Sequence, residues 1–236
     1  MVHPASFYIA SRLDAGTLKS PDLTSEKASA YFLQSGSPAT VSWAALDPEG
    51  KAFAGSEAIS FSLIRYEWKQ SRQAGIGGRI NLYWERVEET IMERSIRPGR
   101  GEHAGVVSFT PSTSGQWEVR LSGKDSAGRA VQTRYGFYVT GGGWALWGRG
   151  DSDTITLTPD KSSYAPGETA KLLVQSPLPK GRYLLTLERE GIIENSIIEL
   201  DGSARTIDIP IKESYVPVIY AAIASYTTRS GPPEHT

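Results

Sequence analysis

A chain of 236 residues is long enough for one large domain or two small ones, each with its own core. Its 25 Lys and Arg against 26 Asp and Glu leave a formal net charge of −1, so nothing electrostatic argues for nucleic acid or an anionic membrane as partner. There is no cysteine, which excludes disulfides, thiolate metal sites and cysteine nucleophiles, and no apolar run approaches the ~20 residues a spanning helix needs.

With 24 Gly, 14 Pro, 11 Tyr and 6 Trp, the composition favours many short strands and turns over helices. The N-terminus lacks a basic-then-apolar leader pattern, so the expectation is a cytosolic protein or an interior piece of a larger secreted one. Ser6–Ile9 reads as a short strand and the polar run Ser11–Lys27 as a loop. Strand character resumes over Ala28–Leu33 and again over Thr40–Leu46, and Asp47-Pro48-Glu49-Gly50-Lys51 is a hairpin signal. Ala58–Trp68 alternates Ile59, Phe61 and Leu63 against Ser60 and Ser62, with a phase change near Ile64, and Ser71–Gly78 reads as its flexible tip.

Arg79–Arg97 is the one stretch where helix competes with strand. Glu88, Glu89 and Glu93 with Arg86, Arg94 and Arg97 would suit a solvated helix face, but Ile80, Leu82 and Trp84 alternate, and the strand is the reading adopted. Arg97–Gly101 turns, Gly105–Thr110 is a strand, and Trp117, Val119 and Leu121 alternate in the next. A turn at Asp125–Arg129 leads to a strand over Ala130–Val139. Spacing near ten residues is the rhythm of a β-sandwich.

Gly141-Gly142-Gly143 marks a hinge. Beyond it, candidate strands cover Thr154–Thr158, Thr169–Gln175, Tyr183–Arg189, Ile192–Leu200, Arg205–Ile211 and Val218–Tyr226. Pro166-Gly167 predicts a type II turn, because Pro presets φ at its first corner and Gly takes the positive φ of the second. Behind it Ala170, Leu172 and Val174 alternate, with Leu173 the one apolar residue out of phase. The fold class is therefore all-β, two consecutive antiparallel β-sandwich domains over 1–141 and 144–226, with 227–236 a disordered tail.

The stretch Asp160-Lys161, Tyr164-Ala165-Pro166-Gly167-Glu168-Thr169-Ala170, with Leu172-Leu173-Val174 and Ser176-Pro177, resembles the start of the bait-region segment of the alpha-2-macroglobulin family, bacterial branch. Leu185–Gly191, Ile209–Ile211 and Pro217 onward follow the same rhythm. The first domain is similar to the macroglobulin-like domain upstream, through Ser6–Tyr8, Asp47–Lys51, Arg65–Trp68, Phe109–Trp117, Asp125 and Gly128-Arg129. The resemblance implies an endopeptidase trap: a protease cuts a flexible bait, the molecule rearranges, and in many members a Cys–Gln thioester links to the attacker. Without cysteine this chain has no thioester, and it is several times shorter than a whole macroglobulin. It would supply scaffold, with target endopeptidases and neighbouring macroglobulin domains as partners, in a periplasmic or extracellular protein of which it is an interior segment. The second domain shows six candidate strands where this type of sandwich has seven, so one strand is expected to be missing or supplied from elsewhere.

No enzyme site emerges: catalytic, cofactor-binding and metal residues are each read as none. His3, His103 and His235 have no metal spacing or partnered nucleophile. Asp151, Asp153 and Asp160 could hold calcium through loop oxygens, against a plain solvated loop. Trp144 and Trp147, near Arg149, could stack on a sugar or pack in the domain joint. Arg94, Arg97 and Arg100 could form an anion patch, diluted by Glu93 and Glu102. The alternative function is a structural or adhesive pair of Ig-like domains, with carbohydrate as ligand.

Overall fold

The computed structural model describes residues 5–23, 31–53, 55, 57–74, 80–97, 103–141, 154–176, 180–201 and 204–226. Its strands fall into two compact units, Met1–Asp151 and Ser152–Thr236.

In the first unit the strands are β1 (Tyr8–Ala15), β2 (Phe32–Gln34), β3 (Ala39–Leu46), β4 (Ile59–Ala74), β5 (Ile80–Ile96), β6 (Ala104–Phe109), β7 (Gly115–Lys124) and β8 (Ala130–Thr140). They form a three-stranded sheet in the order β1-β3-β6 and a five-stranded sheet in the order β2-β8-β7-β4-β5. Every pairing is antiparallel except β2 with β8. Alternation drives the packing: in β7, Trp117, Val119 and Leu121 point into the core while Gln116, Glu118 and Arg120 stay half-buried. Phe7, Leu13, Val41, Trp43, Phe61, Leu63, Phe109 and Phe137 join them from both sheets in one cluster. The Trp117 indole N–H, buried in that cluster, donates to the Thr113 carbonyl at 3.2 Å.

β3 departs from the alternating pattern, because Thr40 and Ser42 are as buried as Val41 and Trp43. The segment Gly16–Asp22 lies along them. Thr40 Oγ1 donates to the Gly16 carbonyl at 2.8 Å, and Leu18 N and Asp22 N donate to Thr40 Oγ1 and Ser42 Oγ at 3.1 Å. The hydroxyls thus do what a neighbouring backbone would have done.

Two sequence-based bounds change. β1 runs to Ala15, inside the expected loop, because all eight of its residues pair with β3. β4 runs to Ala74, inside the expected tip, because Ile80–Ile96, within the expected stretch, is the strand β5 and pairs with β4 along its length. The charges that favoured a helix find partners across strands instead. Glu88 reaches Arg120 on β7 at 3.1 Å, and Glu89 reaches Arg65 on β4 at 2.7 Å. At Ile64 β4 keeps its register with β7, and Ile64 is buried on the opposite face from Leu63. The irregularity is a β-bulge on β5, where Ile91 has no partner between the Leu63–Met92 and Ile64–Thr90 pairs.

The Asp47–Lys51 turn forms, but a single bridge, Leu46 to Ala52, follows it. β3 takes β1 and β6 as its neighbours rather than the next strand. The Asp125–Arg129 turn does join two paired strands, β7 and β8. Asp125, fully buried at its side chain, accepts from Ala127 N, Arg129 N, Arg129 Nε and Ser6 N at 2.7–3.1 Å, so one carboxylate closes the turn and pins the start of the chain.

The second unit holds β9 (Thr156–Pro159), β10 (Thr169–Gln175), β11 (Lys180–Glu188), β12 (Ile192–Asp201), β13 (Ala204–Pro210) and β14 (Tyr220–Ala224), with a short 3-10 turn at Glu213–Tyr215. The sheets are β13-β10-β9 and β12-β11-β14, six strands among the described residues. Ala170, Leu172 and Val174 meet Tyr183, Leu185, Leu187, Leu200, Ile207, Ile209 and Tyr215 in its core. Leu173 is fully buried outside that cluster. Gly141 has φ +77°; the rest of the glycine hinge and the tail 227–236 lie outside the described residues.

Candidate functional site

The stretch that carries the resemblance is a closed polar network. Tyr164 donates its hydroxyl to Asp160 Oδ1 at 2.6 Å and accepts from Lys161 N at 3.0 Å. Asp160 Oδ1 also accepts from Lys171 N at 2.9 Å, which ties the loop to the start of β10. Lys161 Nζ meets Glu168 Oε1 at 2.8 Å, and Glu168 Oε2 accepts from Ala165 N at 2.8 Å. Between them Pro166 and Gly167 make the expected turn: Gly167 has φ +89° and Glu168 N donates to the Ala165 carbonyl at 3.1 Å. Gly167 N and Ile211 N then exchange bonds with the Ile211 and Glu168 carbonyls at 2.8 Å, so the turn is hinged on the end of β13.

Electrostatics follow from these contacts. Burial, then the bond to Asp160, push the Tyr164 hydroxyl up to about 12. The hydrogen bond with Glu168 raises Lys161, and the same bond lowers Glu168. Nothing in the arrangement offers a nucleophile or a base in reach of one; every charged member is occupied in holding the turn. Its chemistry is architectural.

The other candidates disperse. Asp160 is taken up by Tyr164 and Lys171, while Asp151 and Asp153 lie outside the described residues. No group of three or more His, Asp or Glu that could hold a metal occurs among the described residues. Trp144, Trp147, Arg149 and Arg100 also lie outside them, as do His3, His235 and Glu102. Arg94 and Arg97 are exposed at the end of β5, and Glu93 there accepts from Ser60 Oγ at 3.3 Å. The His103 carbonyl accepts from Ala45 N at 2.8 Å, a structural contact.

Sequence reasoning did not single out the outer face of the β12-β11-β14 sheet. Register places Ile197, Leu184 and Ala224 in one row across it, and Ile192, Glu188 and Tyr220 in another. Ile192 and Tyr220 are each more than 60% exposed, and Ile197 is 56% exposed. The opposite-facing Tyr183, Leu185 and Ile223 pack in the core. The exposed apolar side chains stand between polar rows, Arg182 with Glu199 and Thr186 with Asn195, and Glu188 sits between Ile192 and Tyr220. The signal was present in the unbroken apolar run Tyr183-Leu184-Leu185 and the pair Ile192-Ile193, which a strand with one wet face does not require.

The two units are all-β sandwiches of the Ig-like, macroglobulin type. Residues 155–235 match the alpha-2-macroglobulin bait region domain. The chain is 26% identical over 190 residues to the alpha-2-macroglobulin homolog of Nostoc sp., which covers 79% of this chain and 10% of that protein. It is 29% identical over 126 residues to the alpha-2-macroglobulin homolog of Deinococcus radiodurans, covering 53% and 12%. The native conformation of E. coli alpha-2-macroglobulin aligns with 95% of this chain and 15% of its own, at 20% identity and a TM-score of 0.44. These matches support a fragment of the alpha-2-macroglobulin family, and the chain spans about a tenth of the length of the curated relatives it matches.

Proposed function

We propose that this chain is non-catalytic scaffold in a bacterial alpha-2-macroglobulin-like inhibitor whose whole molecule traps endopeptidases after cleavage of a bait. The match of residues 155–235 to the bait region domain carries this reading. It is supported by the Asp160–Glu168 network, which spends its charged groups on fixing a turn at the base of that region. The exposed Leu184, Ile192, Ile197 and Tyr220 on the outer face of the β12-β11-β14 sheet support neighbouring domains of the same polypeptide as the contacts made here. No helix among the described residues is long and apolar enough to cross a membrane. An exported product working in the periplasm or outside the cell completes the proposal.

The test uses the full-length gene product with several endopeptidases of different specificity. After one cut, the protease should keep its activity on small chromogenic peptides and lose it on casein, while the 236-residue chain alone inhibits none of them. Casein digestion that continues unimpeded after cleavage overturns the trap. Inhibition by the 236-residue chain alone overturns the scaffold role.

A further inference from the structure

A strand at the edge of a sheet presents unpaired N–H and C=O groups, and folded proteins shorten, bulge or charge such edges. β5 carries charge and one bulge but is not shortened. It closes one side of the five-stranded sheet, and among the described residues its backbone pairs with β4 alone. It is 17 residues long and contains neither Pro nor Gly. The bulge opposite Ile64 leaves a straight run from Ile80 to Thr90.

β5 also outruns its support. The last β4–β7 pair is Tyr66 with Gln116, yet eight further β4–β5 pairs follow, from Glu67–Val87 to Ala74–Ile80. At ~3.4 Å per residue that is a two-stranded ribbon of about 27 Å. Two strands alone are marginal in water, and a third supplies what such a ribbon lacks.

The charges along this strand pair across the faces of the sheet and stay exposed. Glu88 reaches Arg120 and the Tyr66 hydroxyl, Glu89 reaches Arg65, and Arg86 lies over the Tyr66 ring at 4.4 Å. Glu85 is exposed. By register, Glu85, Val87 and Glu89 stand on one side of the strand with Lys69, Glu67 and Arg65, and Arg86, Glu88 and Thr90 stand on the other. An antiparallel neighbour complementary at each position would place Lys, Val and Lys opposite the first set. Glu, Lys and Thr would lie opposite the second.

From this geometry we infer that the outer edge of β5, over Glu85–Thr90, is a strand-addition site for an extended polypeptide segment of net positive charge. Backbone bonds supply the attraction and the carboxylates set the sign and register of the incoming strand. The inference stands whether or not the parent traps proteases.

The experiment uses the 236-residue chain and an acetylated, amidated peptide, Thr-Thr-Lys-Lys-Val-Glu-Lys-Thr. Three measurements follow: fluorescence anisotropy of the labelled peptide, amide hydrogen exchange of the protein, and its sedimentation. Reversing every charge of the peptide should weaken binding at least tenfold, and N-methylating alternate residues should abolish it. Exchange should slow over 85–90 and stay unchanged in β14, another edge strand. Glu85→Lys, a change at an exposed residue, should weaken binding by roughly three- to fivefold at unchanged Tm. Equal binding of the N-methylated peptide, protection elsewhere, or no binding at about 1 mM peptide overturns the site. Protection of 85–90 without peptide, in a protein that sediments as a dimer, overturns the peptide as occupant in favour of a second copy.

Discussion

Replacing Tyr164 by Phe removes one oxygen from the turn that precedes β10 and leaves the ring in place. That oxygen donates to a carboxylate at 2.6 Å and accepts from the Lys161 backbone at 3.0 Å. A hydrogen bond to a charged group contributes about 1.5–3 kcal/mol, and water can reach the freed Lys161 N–H, so the expected loss is about 2 kcal/mol. At 1.4 kcal/mol per factor of ten, the slowest amides of Leu172, Leu173 and Val174 in β10 should then exchange roughly thirtyfold faster. Amides of β7, in the other compact unit, serve as the internal control and should not change. All six Trp residues precede residue 148, so tryptophan fluorescence would miss this effect, and hydrogen exchange read by mass spectrometry or NMR is the right assay. If the β10 amides exchange at the wild-type rate while Asp160→Ala accelerates them, the hydroxyl is not what holds the turn and the reasoning fails.

Gly167→Ala places a Cβ at φ +89° in open space, so only backbone strain acts; a loss of about 1–2 kcal/mol should appear as a lower Tm for the second unit by calorimetry. Gly105→Ala puts a Cβ 3.0 Å from the Trp43 indole, and a cost of about 1–3 kcal/mol in urea unfolding, with a shifted Trp43 emission, is expected. Burial raises the Asp125 carboxyl, but bonds from Arg129 N, Ser6 N and the Arg129 guanidinium outweigh it and hold it at about 2. Because the folded value lies below the unfolded one, the stabilisation is complete above the ordinary carboxylate range and is lost as pH falls towards 2. The stability of the first unit, read from tryptophan emission, should therefore fall steeply below pH ~4 in the native chain and less steeply in Asp125→Asn.

Most of the strand order was legible in the chain because one-sided burial writes a period of two into the residues. β7, β8 and β10 appear where Trp117–Leu121, Val131–Val139 and Ala170–Val174 alternate. Turns were legible for a local reason too, since Pro166-Gly167 and Asp125–Gly128 have few other conformations that satisfy their backbone. The resemblance to the alpha-2-macroglobulin family was legible too, through residues that hold a turn.

Contacts between residues distant in the chain decided the rest. Ile80–Ile96 had charges for a helix, yet it is a strand whose carboxylates find partners in Arg65 and Arg120, on strands distant in sequence. β3 reads as half wet, and its wet face is dry because Gly16–Asp22 lies along Thr40 and Ser42. Leu184, Ile192, Ile197 and Tyr220 read as strand residues, and only the register of three strands gathers them on one exposed face. Alternation says that a strand has two sides. What covers each side is set by neighbours the local pattern does not encode, and that is why the elements were legible and the surfaces were not.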